Sequence, residues 1–214
     1  MNSEGGGLDA GLLRDRASEA DAVVLLAHGA GAPMDSPFMT DLAKALARRR
    51  VSVIRFEFPY MARRRRDGVK APPSRMPALL DHFNQLYERV AAGSRLPVWV
   101  AGKSMGGRVA TLLAAQRDVP GCLVFGYPFH PPGKPVGSRL AHFPELRAPV
   151  LICQGERDPF GRREEVNGYS LPRTVTLRWI AEGDHDFTPR RRGGLSWEHN
   201  LGEAADAAAR FVLR

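Results

Sequence analysis

Val98-Trp99-Val100-Ala101-Gly102-Lys103-Ser104-Met105-Gly106-Gly107-Arg108-Val109-Ala110 is the stretch whose reading decides the fold. It opens as a short apolar run of the kind a buried parallel strand shows. It closes into Thr111-Leu112-Leu113-Ala114-Ala115, a small-residue helix. Between the two stands Gly102-x-Ser104-x-Gly106, with Gly107 as a further small residue. A strand that turns straight into a helix folds back within about two residues and strains its backbone there. Glycine on both sides lets strand and helix approach without side-chain collision. The serine is then lifted clear of the sheet at the positive end of the following helix, where an oxyanion is stabilised. The same glycines would serve a plain strand–helix turn with an ordinary exposed serine. What separates the two readings is whether the chain supplies partners for Ser104.

Outward from this stretch, strands alternate with helices. Asp21 to Ala27 (DAVVLLA) reads as a buried strand ending in His28-Gly29-Ala30-Gly31-Ala32-Pro33. Ser36 is a candidate cap for the next helix, with Pro37 at its first position and Phe38, Leu42 and Leu46 on its apolar face. Val51 to Phe58 is the second strand, closed by Pro59, and Tyr60 to Met76 reads as a long irregular stretch. A helix over Pro77 to Ala92 leads to the third strand, Pro97 to Ala101. Gly121 to Gly126 is the fourth strand, followed by a proline-rich segment with a short helix near Ser138 to Leu146. Val150 to Gln154 and Thr174 to Ile180 are the fifth and sixth, with a helix around Arg162 to Gly168 between them. Trp197 to Arg214 is a closing alanine-rich helix. This alternation predicts an α/β fold: a mostly parallel sheet of about six strands with helices on both faces. If the second strand lies on one side of the first and the Ser104 strand on the other, a switch point opens beside Ser104. Residues 21–214 read as one domain. Residues 1–20 read as a flexible N-terminal tail, within which 8–20 form one amphipathic turn or a short edge strand.

A serine hydroxyl near neutral pH needs a base to take its proton, and histidine has the matching pKa. The base in turn needs a carboxylate to fix its tautomer. After the fifth strand comes Gly155-Glu156-Arg157-Asp158-Pro159-Phe160, and Asp158 is the expected acid, with Glu156 the weaker candidate. After the sixth comes Ala181-Glu182-Gly183-Asp184-His185-Asp186-Phe187, and His185 is the expected base. Asp184 and Asp186 either make loop hydrogen bonds or raise the proton affinity of the histidine. His28 is expected to tie its loop by hydrogen bonds, His130 and His142 to line the substrate cleft, and His82 and His199 to sit on helix surfaces. No pair of histidines has metal-site spacing, and no cofactor is expected. An oxyanion hole needs two N–H donors. Met105, next to the serine, supplies one, and Ala30 the other, with Gly31 as the alternative.

The strand–HGAGAP stretch at 23–33, GKSMGG at 102–107, GERDPFG at 155–161 and GDHDF at 183–187 together resemble the α/β-hydrolase superfamily. They look most like its small, capless, dienelactone-hydrolase-related branch, the testis-expressed-30-like hydrolases. The resemblance covers about residues 21–214. It implies a hydrolase fold with no cap domain and a Ser104, Asp158, His185 triad, and it supplies no substrate. The opening antiparallel strands of larger hydrolases are missing or reduced to residues 8–20.

The bulk properties narrow the partners. No apolar run approaches the ~20 residues of a membrane span. Met1 to Gly7 lack the basic start and apolar core of an export signal, so the expected compartment is the cytoplasm. Cys122 and Cys153 sit in apolar segments and read as small packed hydrophobes. The formal charge of +8 is carried largely by arginine, in the runs 48–50, 63–66 and 190–192. These runs are dispersed and come with no nucleic-acid motif, so they read as solvated surface rather than a specific nucleic-acid site. The expected partner is a small acyl substrate, with the oligomeric state left open. Gly31, Lys103 and His130 are candidate substrate-binding residues, and Lys103, Arg108 and the Arg63–Arg66 loop are candidates for favouring acidic substrates. The rival reading is a catalytically silent, hydrolase-like protein-binding module.

Overall fold

The computed structural model describes residues 11–131 and 139–214. Seven strands form one sheet: β1 (Leu12–Asp15), β2 (Ala22–Ala27), β3 (Val51–Phe56), β4 (Val98–Lys103), β5 (Cys122–Phe125), β6 (Val150–Gly155) and β7 (Val175–Ile180). Their order is β1-β3-β2-β4-β5-β6-β7, and every pairing is parallel except β1 with β3. The six strands read from the sequence are β2 to β7. The chain moves from β2 to β3 on one side and then back across to β4 on the other, so the switch point lies at the carboxyl ends of β2 and β4.

Alternation along the strands sends side chains to two cores. Leu25, Ala27, Ile54 and Val100 face α3 (Met76–Ala92) and α4 (Met105–Gln116), where Phe83, Val109 and Leu113 pack. Val24, Leu26, Val53 and Ala101 face α1 (Pro37–Ala47) and α6 (Trp197–Val212), where Leu42, Leu46, Ala204 and Ala208 pack. The alanine-rich side of α6 lets that helix lie against α1 as well as the sheet. Pro37 is the first residue of α1 as expected, but the Ser36 side chain makes no cap hydrogen bond. Ser196 does cap α6, accepting from the His199 amide at 3.1 Å.

Four sequence expectations need adjustment. Residues 1–20 are not all tail: of the two readings of 8–20, the edge strand is the one that forms, as Leu12–Asp15 antiparallel to β3. A charge on a buried strand explains this. Arg55 is only 5% exposed, and its guanidinium donates to Asp15, to the Met34 carbonyl and to Thr40. Four residues of β1 therefore bring a counterion that the parallel strands cannot supply. The stretch after Pro59 is not irregular throughout, because Pro59–Asp67 is a helix, α2, ended by Gly68 at φ 71°. Its arginines and alanine are good helix formers, but only Tyr60 and Met61 are buried, so no apolar period announces it. The short helix foreseen near Ser138 to Leu146 is one 3-10 turn, Phe143–Glu145, and Ser138 lies outside the described residues. The helix expected around 162–168 is the single turn α5 (Arg163–Val166). Both cysteines are free and buried, and burial pushes their thiols well above the usual range.

Candidate active site

The turn from β4 into α4 is held by glycine. A Cβ on Gly102 would lie 2.1 Å from the Gly106 carbonyl carbon, and one on Gly106 would lie 2.6 Å from the carbonyl oxygens of Ala27 and His28. Only glycine lets the first turn of α4 sit this close to the ends of β4 and β2. Ser104, between them, has φ 53° and ψ −117°, a conformation L side chains rarely adopt. Such strain costs on the order of 1–3 kcal/mol and persists where the surroundings enforce it.

Three side chains distant in sequence meet at this turn. Ser104 Oγ is 2.8 Å from His185 Nε2, and His185 Nδ1 is 2.7 Å from Asp158 Oδ2. Asp158 is fully buried in the turn that follows β6. Its Oδ1 accepts from the Phe160 amide at 2.9 Å, and its Oδ2 also accepts from Gln154 Nε2 at 2.9 Å. With both its oxygens already accepting from N–H donors, Asp158 is placed to accept from Nδ1–H as well, the tautomer that leaves Nε2 to accept from the serine hydroxyl. Phe160 packs on the His185 ring at 4.5 Å. Glu156 points elsewhere: it pairs with Arg163 and accepts from the Glu182 amide, and that amide first, then Arg163, holds its carboxyl below the usual range.

The loop after β2 arches over the serine, where a Cβ on Gly29 would be 3.7 Å from Ser104 Cβ. Its carbonyls are turned away and bonded. Tyr60 Oη donates to the Ala30 carbonyl at 2.9 Å, and His28 Nδ1 donates to that of Gly29 at 2.6 Å. His28 Nε2 accepts from the Phe58 amide, so this buried imidazole is neutral and ties its loop, as expected; burial lowers its pKa. Burial also pushes Tyr60 up to about 12, keeping its hydroxyl a donor. Met105, directly after the serine, is the first residue of α4.

The remaining candidates are placed less simply. Lys103 is buried, and its ammonium donates to the His185 carbonyl at 2.6 Å and pairs with Asp186 at 3.1 Å. It holds the histidine loop instead of facing substrate. Asp184 also serves that loop, accepting from the Asp186 and Thr188 amides. His130 does not open onto a cleft: it is 7% exposed and bonded to the Pro131 carbonyl and to Glu165. His142 bonds to Thr111 at 2.9 Å and is driven down to about 4 by burial and then by Arg108. His82 is half-buried near Phe56 and Phe58, where burial lowers its pKa. The Arg63–Arg66 run is mostly committed. Arg64 reaches the Gly31 carbonyl at 3.4 Å, Arg65 pairs with Glu57 and Asp35, and Arg66 pairs with Asp67. Arg108 differs, because its Nε is buried without a hydrogen-bond partner.

Gln154 is the residue sequence reading missed. Wholly buried, it accepts from the Tyr127 amide and donates to the Tyr127 and Gly161 carbonyls as well as to Asp158. A glutamine at the end of an apolar strand was the available signal. Among the described residues, no three His, Cys, Asp or Glu side chains gather as a metal ion needs. No helix among them is long and apolar enough to cross a membrane.

A β3-β2-β4 switch point carrying a strained serine bonded to a histidine is the architecture of an α/β hydrolase, and the comparisons agree. Residues 20–213 match the alpha/beta hydrolase domain family, and the chain belongs to it. Among solved structures, dienelactone hydrolase from Anabaena variabilis aligns with a TM-score of 0.73 at 20% identity, covering 94% of this chain and 90% of that one. XC6422 from Xanthomonas campestris, described as an a/b serine hydrolase without lid, aligns at 0.69 and 20% identity, over 94% and 88%. Est1E from Butyrivibrio proteoclasticus, also solved with ferulic acid bound, aligns at 0.69 and 16% identity, over 94% and 93%. The capless expectation fits this group: between β5 and β6 the described residues hold no more than the 3-10 turn.

Proposed function

We propose that the protein is a serine hydrolase that cleaves a carboxylic ester or related acyl compound through an acyl-enzyme. The observation that carries this reading is the continuous chain Ser104 Oγ to His185 Nε2 at 2.8 Å and His185 Nδ1 to Asp158 at 2.7 Å, built on a serine at positive φ. Ser104 Oγ attacks the carbonyl carbon as its proton passes to His185 Nε2. The imidazolium is steadied by the buried Asp158 carboxylate. The amides of Met105 and Ala30 hold the oxyanion, supported by the N-terminal end of α4. Collapse breaks the bond to the leaving group, which departs with the proton from His185. A water then attacks the acyl carbon, giving its proton to the same nitrogen. The second collapse frees the acid and returns that proton to Ser104.

The esterase and dienelactone hydrolase among the structural neighbours support an acyl substrate for this fold. Acidic-substrate preference now rests on Arg108. It lies one turn beyond Ser104, its amide bonded to the Ser104 carbonyl, and helix side chains lean back toward the preceding turn. A fluorophosphonate probe tests the reading. Labelling of the wild type that vanishes in Ser104→Ala, together with p-nitrophenyl acetate hydrolysis lost in the same variant, is the expected outcome. Folded wild type that neither labels nor turns over this ester would instead favour the silent binding module.

A further inference from the structure

One cavity given by the described residues does not include Ser104, His185 or Asp158. It measures about 540 Å³ and lies between the end of β3, α2, α3 and the start of β1. That is within the roughly 300–1,000 Å³ of small-molecule sites. Its inner wall is apolar and buried, with Phe56 1%, Leu86 4% and Met34 7% exposed. Its mouth is cationic. Arg63, Arg65, Arg66 and Arg89 line it against one carboxylate, Glu57. That carboxylate is neutralised by Arg65 at 2.6 Å, and Arg66 pairs with Asp67. Arg63 and Arg89 have no carboxylate paired with them among the described residues. A second cavity of about 180 Å³ shares Leu12, Leu86 and Arg89 with it and is lined further by Val23, Ile54 and Val90, with Arg14 and Ser94 as its polar lining. The two cavities thus adjoin along β1, with arginines at the rim of the first and apolar side chains along the walls of both.

We infer that this groove binds an amphipathic anion: a carboxylate or phosphate monoester head held by Arg63 and Arg89, with an unbranched apolar chain running over Phe56, Leu86 and Ile54. Guanidinium groups take such heads in paired, charge-assisted hydrogen bonds. The channel walls gain by the removal of chain and wall from water. None of Ser104, His185 and Asp158 lines the groove, and the inference goes beyond the hydrolase reading without depending on it.

Isothermal titration of the full chain with sodium octanoate, octyl phosphate and 1-octanol tests it. Saturable one-site binding is expected for the anions, at least tenfold tighter than for 1-octanol. Tighter octyl phosphate assigns the head to a phosphate monoester, and tighter octanoate to a carboxylate. Arg63→Gln/Arg89→Gln should weaken the tighter anion at least tenfold. Ala62→Trp, an exposed position lining the cavity, should block its binding while far-ultraviolet circular dichroism reports an intact fold. No binding of either anion, 1-octanol bound as tightly as the anions, or anion affinity unchanged in Arg63→Gln/Arg89→Gln would overturn the inference.

Discussion

Lys103→Met separates holding the histidine from holding the fold. The lysine side chain is 7% exposed and its ammonium lies 5.1 Å from the Phe38 ring, so methionine keeps most of the volume and the apolar contacts. What goes is the charge-assisted bond to the His185 carbonyl, on the order of 1.5–3 kcal/mol. The partner carboxylate of Asp186 is 65% exposed, so its share of the pairing is about 0–1 kcal/mol and it rehydrates when released. Against these losses stands the desolvation of the ammonium, which pushes the Lys103 pKa below its ordinary value. The net change in global stability is therefore small, about 1 kcal/mol, or ~2–4 °C in Tm. The local effect is larger, because His185 loses the tie from the strand that carries Ser104. A displacement of about 1 Å at a reacting group costs on the order of 100-fold. Assayed with p-nitrophenyl acetate, the variant should lose ten- to a hundredfold in kcat with KM within about twofold. Wild-type kcat at unchanged Tm would refute the positioning role. A fall in Tm of more than about 10 °C would show that the lysine mainly holds the fold.

Gly106→Ala drives a methyl group into two backbone carbonyls 2.6 Å away, and no flexible side chain there can yield. Overpacking of about 3 kcal/mol should lower Tm by ~6–12 °C by scanning calorimetry and separate Ser104 from His185, abolishing fluorophosphonate labelling. Gln154→Leu strips hydrogen bonds from the buried Tyr127 amide, two carbonyls and Asp158. A loss of about 3 kcal/mol in urea unfolding is expected, with kcat falling in parallel. His142 titrates at about 4 in the fold, displaced from its ordinary value near 6.5 by burial first and Arg108 second. Between those pH values the unfolded chain binds a proton that the folded chain refuses, so stability falls as pH drops from 6.5 toward 4. With allowance for the ring's partial exposure the loss is about 1 kcal/mol, and His142→Asn should flatten the melting-temperature profile in that window by ~2–4 °C.

Wherever local chemistry is enough to fix a feature, the residues announce it. DAVVLLA and VWVAG are too apolar to be anything but buried strands, and Gly102 and Gly106 flank the serine because nothing larger fits that turn. Those patterns, with Asp158 and His185 each on a loop after a strand, made the sheet and the three-residue chain legible in the sequence. Legibility failed where a role depends on what lies across space. Lys103 looked like a cation facing substrate, yet β4 carries it under the His185 loop, where its charge is spent on a carbonyl and Asp186. His130 looked like a cleft residue, yet α5 brings Glu165 to it. LLRD left an amphipathic turn and a short edge strand both open, and only the buried guanidinium of Arg55 on β3 explains why Asp15 belongs in the sheet. Helices and turns follow from neighbours a few residues away, so the sequence holds them. A buried charge must find its counterion wherever the fold places one, and that partner is decided by tertiary structure alone.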